Sequence, residues 1–465
     1  MKTLKLTMLV AALVLAGCAA VPEIDPATIP TTPVAFKEGD GRWTRATPAE
    51  AQPRGEWWKT FGDPVLDDLV ARADKGNTEV QVAAARLAQA QAIYKSANTD
   101  RWPTLGIGGS AFREKGLPDL PSGAPPVTIT TVGATIGYEA DLFGRIANAA
   151  HAARLDAQSR EALLQSTRLA VQATVAQTYL ALRATDAERA LVRGTVTTYV
   201  ESLKLTERRF RAGDVAELDV SRSRTEVAAT ESEALALDRR RAELEHALAV
   251  LVGEPASTFQ LRESTWDTAL PIIPAGVPGT VLARRPDVSA AQLSLMAAQQ
   301  RVGVAKAAWF PNVTLTAVGG QASTDISDLF KWSARAWTVG ALLSMPIFDG
   351  GRREAGVDNA NAEMDAALAR YREQILVAFR DVEDQLAALH LLAEQADAQG
   401  RAVTSASRTT ALSDTRYRNG LVSQLELLDA QRSELRNRRQ ALAVRSAQYQ
   451  ATVGLVKALG GGWGA

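Results

Sequence analysis

Two long stretches of the chain have the hydrophobic pattern of an α-helix and contain no proline. They run from Arg145 to Glu254 and from Ile347 to Ala465, and Ala, Leu, Arg, Glu and Gln dominate both. In the second stretch, residues recur at spacings of three and four, at Leu368, Tyr371, Ile375, Ala378 and Val382. This spacing is typical of a coiled-coil contact line, and a proline costs about 3 kcal/mol inside a helix. The pattern therefore predicts very long helices that pack against other helices.

A glycine interrupts each helical stretch at an equivalent place. Gly213 follows Arg209-Phe210-Arg211-Ala212, and Gly420 follows Arg416-Tyr417-Arg418-Asn419. A glycine after cationic residues is typical of a helix C-terminus. Each stretch is therefore predicted to form a helical hairpin. The first arm, from Arg145 to Ala212, would be about 100 Å long at a rise of about 1.5 Å per residue.

Four other segments alternate apolar residues with Gly, Ser and Thr. They run from Leu105 to Ala111, from Val132 to Tyr138, from Val313 to Ala317 and from Trp337 to Met345. A period of two predicts β-strands with one apolar and one polar face. Such strands fit a membrane barrel with lipid outside and water inside, and they also fit a soluble sheet with one buried face. The alternation alone leaves both interpretations open.

The N-terminus has the features of an export signal that ends at a lipid attachment site. Lys2 and Lys5 precede an apolar run, which closes with Leu15-Ala16-Gly17-Cys18. This tetrad resembles the lipobox of bacterial lipoproteins, in which cleavage precedes the cysteine and the cysteine receives the lipid. Cys18 is the only cysteine of the chain, so no disulfide can form within it. In the lipoprotein pattern, Ala19 in place of Asp indicates delivery to the outer membrane.

Predicted delivery to the outer membrane favours the interpretation of the strands as part of a membrane barrel. Outside the signal, no apolar run reaches the roughly 18 residues that a membrane-spanning helix needs. Four strands cannot close a barrel, and an open sheet edge is not tolerated in lipid. Two copies of the chain would form an eight-stranded barrel filled by side chains, whereas three copies would form a twelve-stranded barrel with a lumen. A channel therefore favours a homotrimer.

The two halves of the chain repeat each other at an offset of 207 residues. Besides the two glycine motifs, the matching pairs are Gly144-Arg145 with Gly351-Arg352 and Val252-Gly253 with Leu459-Gly460, while Trp102-Pro103 matches Phe310-Pro311 at an offset of 208. A repeat of this length indicates a duplicated domain. The predicted domains are a lipoprotein signal peptide (1–17), an extended N-terminal segment (18–62), a first repeat (63–253), a linker (254–280) and a second repeat (281–465). Shorter helices are predicted at Asp63 to Lys75, Thr78 to Thr99 and Asp287 to Ala308.

Charge and composition argue against an enzyme and against nucleic-acid binding. The chain has 52 basic and 52 acidic side chains, so no excess of positive charge indicates a nucleic-acid partner. His151, His246 and His390 lie far apart and lack the spacing of a metal site. No clustered nucleophile and base occurs either. The sequence therefore predicts a protein that is not an enzyme and that carries no cofactor apart from a covalent lipid on Cys18.

Four motifs together carry a family resemblance. They are Trp57-Trp58-Lys59-Thr60-Phe61-Gly62-Asp63-Pro64-Val65-Leu66, Arg284-Arg285-Pro286-Asp287, Arg416-Tyr417-Arg418-Asn419-Gly420 and Leu427-Leu428-Asp429-Ala430-Gln431-Arg432. With the lipobox, they resemble the TolC-like outer-membrane factors, in the lipoprotein branch of RND-type efflux systems (OprM/NodT-like). The resemblance implies a mixed α/β membrane protein, in which a trimeric 12-stranded transmembrane β-barrel continues into a 12-helix periplasmic α-barrel of long coiled-coil hairpins. Four strands of the barrel would come from each chain.

The resemblance also implies a periplasmic gate near the end of the second hairpin. The apolar constriction of the family falls on Leu425, its acidic ring on Asp429 and the basic partner on Arg432, while Tyr417 falls on a position that ties neighbouring helices together. Three Asp429 carboxylates around one axis would repel each other unless Arg432 or cations neutralise them. The alternative is an ordinary pair on a helix surface, which contributes at most a few tenths of a kcal/mol.

The first repeat departs from the gate pattern at the matching positions. It has Arg222 where Asp429 would be and Thr225 where Arg432 would be. A single acidic ring is therefore expected from these positions. The turns at Gly213 and Gly420 resemble the tips that contact a periplasmic adaptor protein, and they are expected to cap their helices as well.

These features predict the outer-membrane channel of a tripartite efflux system. The chain would be lipid-anchored in the cell outer membrane, extend into the periplasm, and work with an adaptor (membrane fusion) protein and an inner-membrane transporter. It would be a passive exit duct for drugs or other small molecules, with a gate opened by adaptor contact. Alternatives are a duct for protein (type I) or metal-ion export, and a non-conducting structural lipoprotein that spans the periplasm.

Overall fold

The computed structural model describes residues 21–38, 55–115, 125–271 and 278–461. The α-helices in this part of the chain are α1 (Pro64–Gly76), α2 (Thr78–Thr99), α3 (Arg145–Ala212), α4 (Glu217–Val252), α5 (Pro278–Arg284), α6 (Pro286–Ala307), α7 (Arg352–Arg418) and α8 (Gln424–Ala458). The strands are β1 (Thr104–Glu114), β2 (Val127–Ala140), β3 (Asn312–Ser323) and β4 (Arg335–Ser344). The predicted lipid attachment site, Cys18, lies outside the described residues.

Both predicted hairpins form, and their long arms are uninterrupted. α3 has 68 residues and α7 has 67, and neither contains a proline. The predicted first arm, from Arg145 to Ala212, coincides with α3. In α7, the predicted contact positions Ile375, Ala378 and Val382 are at most 1% exposed. The long helices are therefore stabilised by packing of an apolar stripe.

The strands form one antiparallel sheet in the order β1-β2-β3-β4. The register places Ile107 opposite Ala134, Ala134 opposite Gly319, and Gly319 opposite Trp337. Because directly paired residues point to the same side of a sheet, the predicted apolar positions of all four strands share one face. We call it the apolar face. The opposite face carries mainly Gly, Ser and Thr, so the two-faced character predicted from the alternation is confirmed.

The described chain divides into two compact units. The first contains residues 21–29, 86–115, 125–161 and 290–372, and the second contains residues 30–38, 55–85, 162–271, 278–289 and 373–461. The first unit holds the sheet and a core of Leu295, Ala298 and Ala367, against which Leu368 and Tyr371 pack. The second unit holds both hairpin turns and a core that includes Val281, Val382, Leu455 and Leu459.

None of the described helices combines the length and the apolar character that are needed to cross a membrane.

The aromatic motif that begins at Trp57 forms a short 3₁₀ turn that the hydrophobic pattern did not predict. Trp57–Phe61 is a 3₁₀ turn, and its Trp57, Trp58 and Phe61 side chains are buried. Phe61 lies 6.3 Å from the ring of Tyr449 in α8, measured between ring centroids. Asp63, which follows the turn, accepts hydrogen bonds from the backbone of Val65 and Leu66 and so caps α1. The motif therefore anchors the start of the first repeat on the last helix.

The helix ends repeat between the two halves at the predicted offset. At the end of α4, Gly253 N donates to Val250 O and Glu254 N to Ala249 O, and the end of α8 has the same bonds 207 residues later. Gly253 and Gly460 both have positive φ, at 79° and 90°. Each glycine also lies against the C-terminal end of a shorter helix, Gly253 against Gly76 of α1 and Gly460 against Arg284 of α5. These junctions require glycine for both conformation and space.

A pair of substitutions separates these two requirements. A Cβ on Gly253 would lie 2.2 Å from Gly76 O, whereas a Cβ on Gly213, at φ 82°, has no heavy atom within 4 Å. The left-handed conformation alone costs about 1–2 kcal/mol for a residue with a Cβ. We expect Gly213→Ala to lower the free energy of unfolding by about that amount, and Gly253→Ala to lower it further. Denaturant midpoints of the purified variants measure both effects, and equal midpoints would show that contact with Gly76 does not matter.

Candidate functional site at the ends of the helical hairpins

The two hairpin turns have the same backbone structure. Gly213 N donates to Phe210 O and Asp214 N to Arg209 O, and the equivalent bonds join Gly420 to Tyr417 and Leu421 to Arg416. Both glycines have positive φ, at 82° and 73°. Hydrogen bonds of this kind satisfy the last carbonyls of a helix and end it sharply. Gly213 and Gly420 are therefore helix caps, and their predicted contact with an adaptor stays a prediction.

Tyr417 lies at the centre of a buried polar contact between the two hairpins. Its side chain is 1% exposed, and its hydroxyl lies 3.0 Å from Thr206 Oγ1 on α3. The guanidinium of Arg209 lies over its ring, 4.6 Å from the centroid. Since Thr206 belongs to the first hairpin and Tyr417 to the second, Tyr417 ties neighbouring helices together within one chain.

Two further residues extend this contact and were not identified from the sequence. Gln424, the first residue of α8, donates from Nε2 to Ser223 Oγ of α4 at 3.0 Å. Its Oε1 accepts from Thr206 Oγ1 at 3.3 Å. Gln424 and Ser223 are 2% and 3% exposed. All four side chains, Thr206, Tyr417, Gln424 and Ser223, thus form one connected polar network at the hairpin ends, and buried polar groups require such partners.

Arg432 binds more closely to a residue of the first hairpin than to Asp429. Its Nε donates to Glu226 Oε2 on α4 at 2.8 Å, and its Nη2 also donates to that oxygen. The distance from Arg432 Nη1 to Asp429 Oδ1 is 3.7 Å, which is an ion pair without a hydrogen bond. The hydrogen bond with Glu226 is the main cause that raises the pKa of Arg432. Glu226 is a site residue that sequence reasoning missed.

Leu425, Asp429 and Arg432 share one face of α8. They are spaced by four and three residues, which places them on successive turns of the helix. Leu425 is 42% exposed, and the side chain of Asp429 is 64% exposed. An apolar side chain and a carboxylate are therefore presented side by side, with the basic group held to one side by Glu226.

The equivalent positions of the first hairpin have different interactions. Arg222 pairs with Asp219 at 3.7 Å, and Thr225 Oγ1 donates to the backbone oxygen of Ser221 at 2.9 Å. Neither interaction crosses to the other hairpin. The asymmetry between the repeats thus extends from the sequence to the contacts.

A second ion pair continues the contact between α4 and α8 one heptad further along. Arg439 Nη1 lies 2.8 Å from Glu233 Oε2, and Arg439 Nε donates to Glu188 Oε1 of α3 at 2.8 Å. Glu226 and Glu233 on α4 thus face Arg432 and Arg439 on α8 with the same spacing of seven. This regular spacing shows that α4 and α8, the shorter arms of the two hairpins, run parallel and in register.

The histidines are not brought together. His151 lies in α3, His246 in α4 and His390 in α7, and His390 pairs with Glu394 at 3.6 Å. Within the described residues, no three His, Cys, Asp or Glu side chains are grouped in a way that could hold a metal ion.

A sheet with one apolar face, together with two long helical hairpins, is the combination of elements that outer-membrane efflux channels have. The family model for outer membrane efflux proteins matches residues 69–254 and 277–461. The chain belongs to this family, and the family resemblance, the fold class and the function as an outer-membrane efflux duct predicted from the sequence are confirmed. The protein lies in the outer membrane.

Several named proteins are similar to the chain over almost its whole length. The solvent efflux pump outer membrane protein SrpC of Pseudomonas putida is 35% identical over 97% of each chain. The cation efflux system protein CusC of Escherichia coli O6:H1 is 29% identical over 100% of each. The solved structure of the outer-membrane channel OprN has a TM-score of 0.89 and 30% identity, over 96% of this chain and 100% of that one.

Proposed function

We propose that three copies of this chain close one barrel and form the exit duct of a tripartite pump for small molecules. The observation that carries this proposal is the four-stranded sheet with an apolar face, a polar face and two edges, β1 and β4, that lack a strand partner within the described residues. Open edges are not tolerated in lipid, and three copies supply enough strands for a water-filled lumen. An adaptor protein would make the contact that opens the gate, and an inner-membrane transporter would supply the energy for export.

The proposed duct is tested by conductance. Purified protein, checked for its trimeric mass, is added to planar lipid bilayers, and we expect stepwise single-channel currents. Absence of conductance from the intact trimer would favour the non-conducting structural lipoprotein. Deletion of the gene and complementation, followed by measurement of cellular accumulation of a dye, a metal ion and a secreted protein, then distinguishes small-molecule export from the metal-ion and protein alternatives.

We propose that Leu425, Asp429, Arg432 and Tyr417 form the periplasmic gate. The support is that Leu425 and Asp429 are exposed on one face of α8, while Arg432 and Tyr417 attach the same hairpin end to the first hairpin. The gate requires that the Asp429 carboxylates attract cations at the constriction. The double variant Asp429→Ala/Arg432→Ala is expected to lose block by divalent cations and to conduct more. An unchanged conductance and an unchanged block would show that these residues are ordinary surface groups.

We propose further that the mature chain begins at a lipid-modified Cys18. We expect Cys18→Ala to abolish incorporation of labelled palmitate, because the only thiol of the chain is removed. Ala19→Asp is the matched control, since it keeps the cysteine but changes the signal that sorts lipoproteins between the two membranes. That variant should still incorporate palmitate while it is retained in the inner membrane. Labelling of Cys18→Ala would contradict the assignment.

A further inference from the structure

Charged residues in the four strands are few and are separated by face. The strands contain Arg113 and Glu114 in β1, Glu139 in β2 and Arg335 in β4, and β3 has none. Arg113 lies two residues after Ala111, and Arg335 lies two residues before Trp337, so both arginines belong to the apolar face. Glu114 and Glu139 belong to the opposite face. The apolar face thus carries positive charge only, although it faces lipid in the proposed barrel.

Both arginines lie at the same end of the apolar face. Arg113 is one residue from the end of the β1–β2 ladder, where Glu114 pairs with Val127. Arg335 is in the last pair of the β3–β4 ladder, opposite Gln321. At the other end of this face lie uncharged residues, such as Tyr138 and Leu343. The face is therefore apolar along its length, with a cationic border at one end.

The cationic border is combined with exposed aromatic side chains. The guanidinium of Arg335 lies over the ring of Trp332, 3.0 Å from its centroid. Trp332 is 76% exposed, and Trp337 on the apolar face is 79% exposed. Neither Arg113 nor Arg335 forms an ion pair with a carboxylate of the described residues, whereas the nearby Lys331 pairs with Asp328. Both arginines are thus available to an external anion. Arg335 lies beside the tryptophans that mark a membrane interface, and Arg113 lies further towards the same end, four residues beyond the β1 residue in the row of Arg335.

Closing the barrel brings the two arginine-bearing strands together. β1 and β4 are the outer strands of the sheet, so in a ring of copies β4 of one copy lies beside β1 of the next. Each seam between two copies would then carry Arg335 from β4 of one copy and Arg113 from β1 of the next, at the same end of the barrel. This step rests on the proposed trimeric duct.

We propose that each seam binds lipid A, the diphosphorylated glycolipid of the outer leaflet. Arg113 and Arg335 bind its phosphate groups, and its acyl chains lie along the apolar face next to Trp337 and Val339. A guanidinium is suited to phosphate because it donates two parallel hydrogen bonds. Two cations at one seam match two phosphates on one headgroup, whereas a phospholipid such as phosphatidylglycerol has only one.

Native mass spectrometry of the delipidated trimer tests this proposal. Lipid A, monophosphoryl lipid A and phosphatidylglycerol are titrated separately, and we expect lipid A to bind most tightly. Arg113→Gln/Arg335→Gln should weaken lipid A binding by about thirtyfold, because each arginine near a membrane surface contributes about 1 kcal/mol to binding of anionic lipid. Arg113→Lys/Arg335→Lys should retain part of the affinity, since the charge is kept and the paired hydrogen bonds are lost.

The controls keep a failure of this proposal distinct from a failure of the proposed duct. Glu114→Gln changes a charge next to Arg113 but on the opposite face, so lipid A binding should be unchanged. Conductance of the Gln variants shows that their trimers still form. Equal lipid A affinity of the wild type and the double Gln variant would overturn the proposal, as would equal affinity of the wild type for phosphatidylglycerol and lipid A.

Discussion

Replacing Glu226 by Gln is expected to increase the fraction of time in which the channel is open by about tenfold or more. Glu226 accepts hydrogen bonds from Arg432 Nε and Nη2, and its side chain is 15% exposed. A hydrogen bond to a charged group contributes about 1.5–3 kcal/mol, and each 1.4 kcal/mol changes an equilibrium by about tenfold. Loss of this contact loosens the end of α8 from α4. Single-channel recording of open probability measures the effect.

The same substitution is expected to weaken block by divalent cations. Arg432 Nη1 already lies 3.7 Å from Asp429 Oδ1, so a guanidinium released from residue 226 can approach this carboxylate and neutralise it. Titration of divalent cations during recording should therefore require higher concentrations for half-block.

Glu233→Gln is the matched control for Glu226→Gln. Glu233 occupies the same face of α4 one heptad later and binds Arg439, but Arg439 also keeps its hydrogen bond to Glu188. Replacing Glu233 by Gln should therefore change the open probability little. If Glu226→Gln behaves like Glu233→Gln while Asp429→Asn alters the current, Arg432 acts through Asp429 and the contact between hairpins is incidental.

Asp186→Ala is expected to lower the free energy of unfolding by about 3–5 kcal/mol, the range found when one partner of a buried ion pair is removed. The Asp186 side chain is 4% exposed and accepts hydrogen bonds from three arginines, Arg183 at 3.2 Å, Arg189 at 3.3 Å and Arg241 at 2.8 Å. Without the carboxylate, these guanidinium groups repel each other in a poorly hydrated place. Denaturant titration followed by circular dichroism measures the loss.

The loss of Asp186 should also expose the segment that links the two repeats. Arg183 donates to Arg262 O at 2.8 Å, and Arg241 donates to Leu261 O at 2.6 Å, so the arginines around Asp186 hold this segment. Limited trypsin digestion should therefore cleave at Arg262 faster in Asp186→Ala than in the wild type.

Asp384→Ala gives the comparison for a carboxylate that is not buried. Its side chain is 63% exposed, and its distance to Arg380 is 3.9 Å. Removal of such a pair should change stability by at most about 1 kcal/mol. Equal stabilities of Asp186→Ala and Asp384→Ala would show that the buried arginines find other partners.

Local patterns were sufficient for the long helices and the strands. The absence of proline and the spacing from Leu368 to Val382 predicted a long helix, and α7 has 67 residues. Gly213 and Gly420 predicted where the helices end, because only glycine adopts the left-handed conformation at low cost. The 3₁₀ turn at Trp57–Phe61 was not predicted, since it is stabilised by aromatic contacts with residues far along the chain.

The contacts of the candidate site were only partly predictable. Tyr417, Leu425, Asp429 and Arg432 were identified from the family resemblance, and their roles as a gate stay predictions. Glu226 gave no signal, because it lies 206 residues from Arg432 and its counterpart in the second repeat is Ser433. Gln424 was missed for a similar reason, since its counterpart is Glu217. The duplication predicts equivalent roles only where the two repeats have the same residue. These contacts involve positions at which the two repeats have different residues.

The sequence by itself determined the elements, the duplication and the two faces of each strand, because helix ends and residue alternation depend on near neighbours in the chain. Tertiary structure alone decided that Arg432 is held by Glu226, that Asp186 is shared by three arginines, and that Arg113 and Arg335 lie at one end of one face. Each of these depends on register between segments far apart in sequence. Register is set by the packing of whole elements, and no local pattern records it.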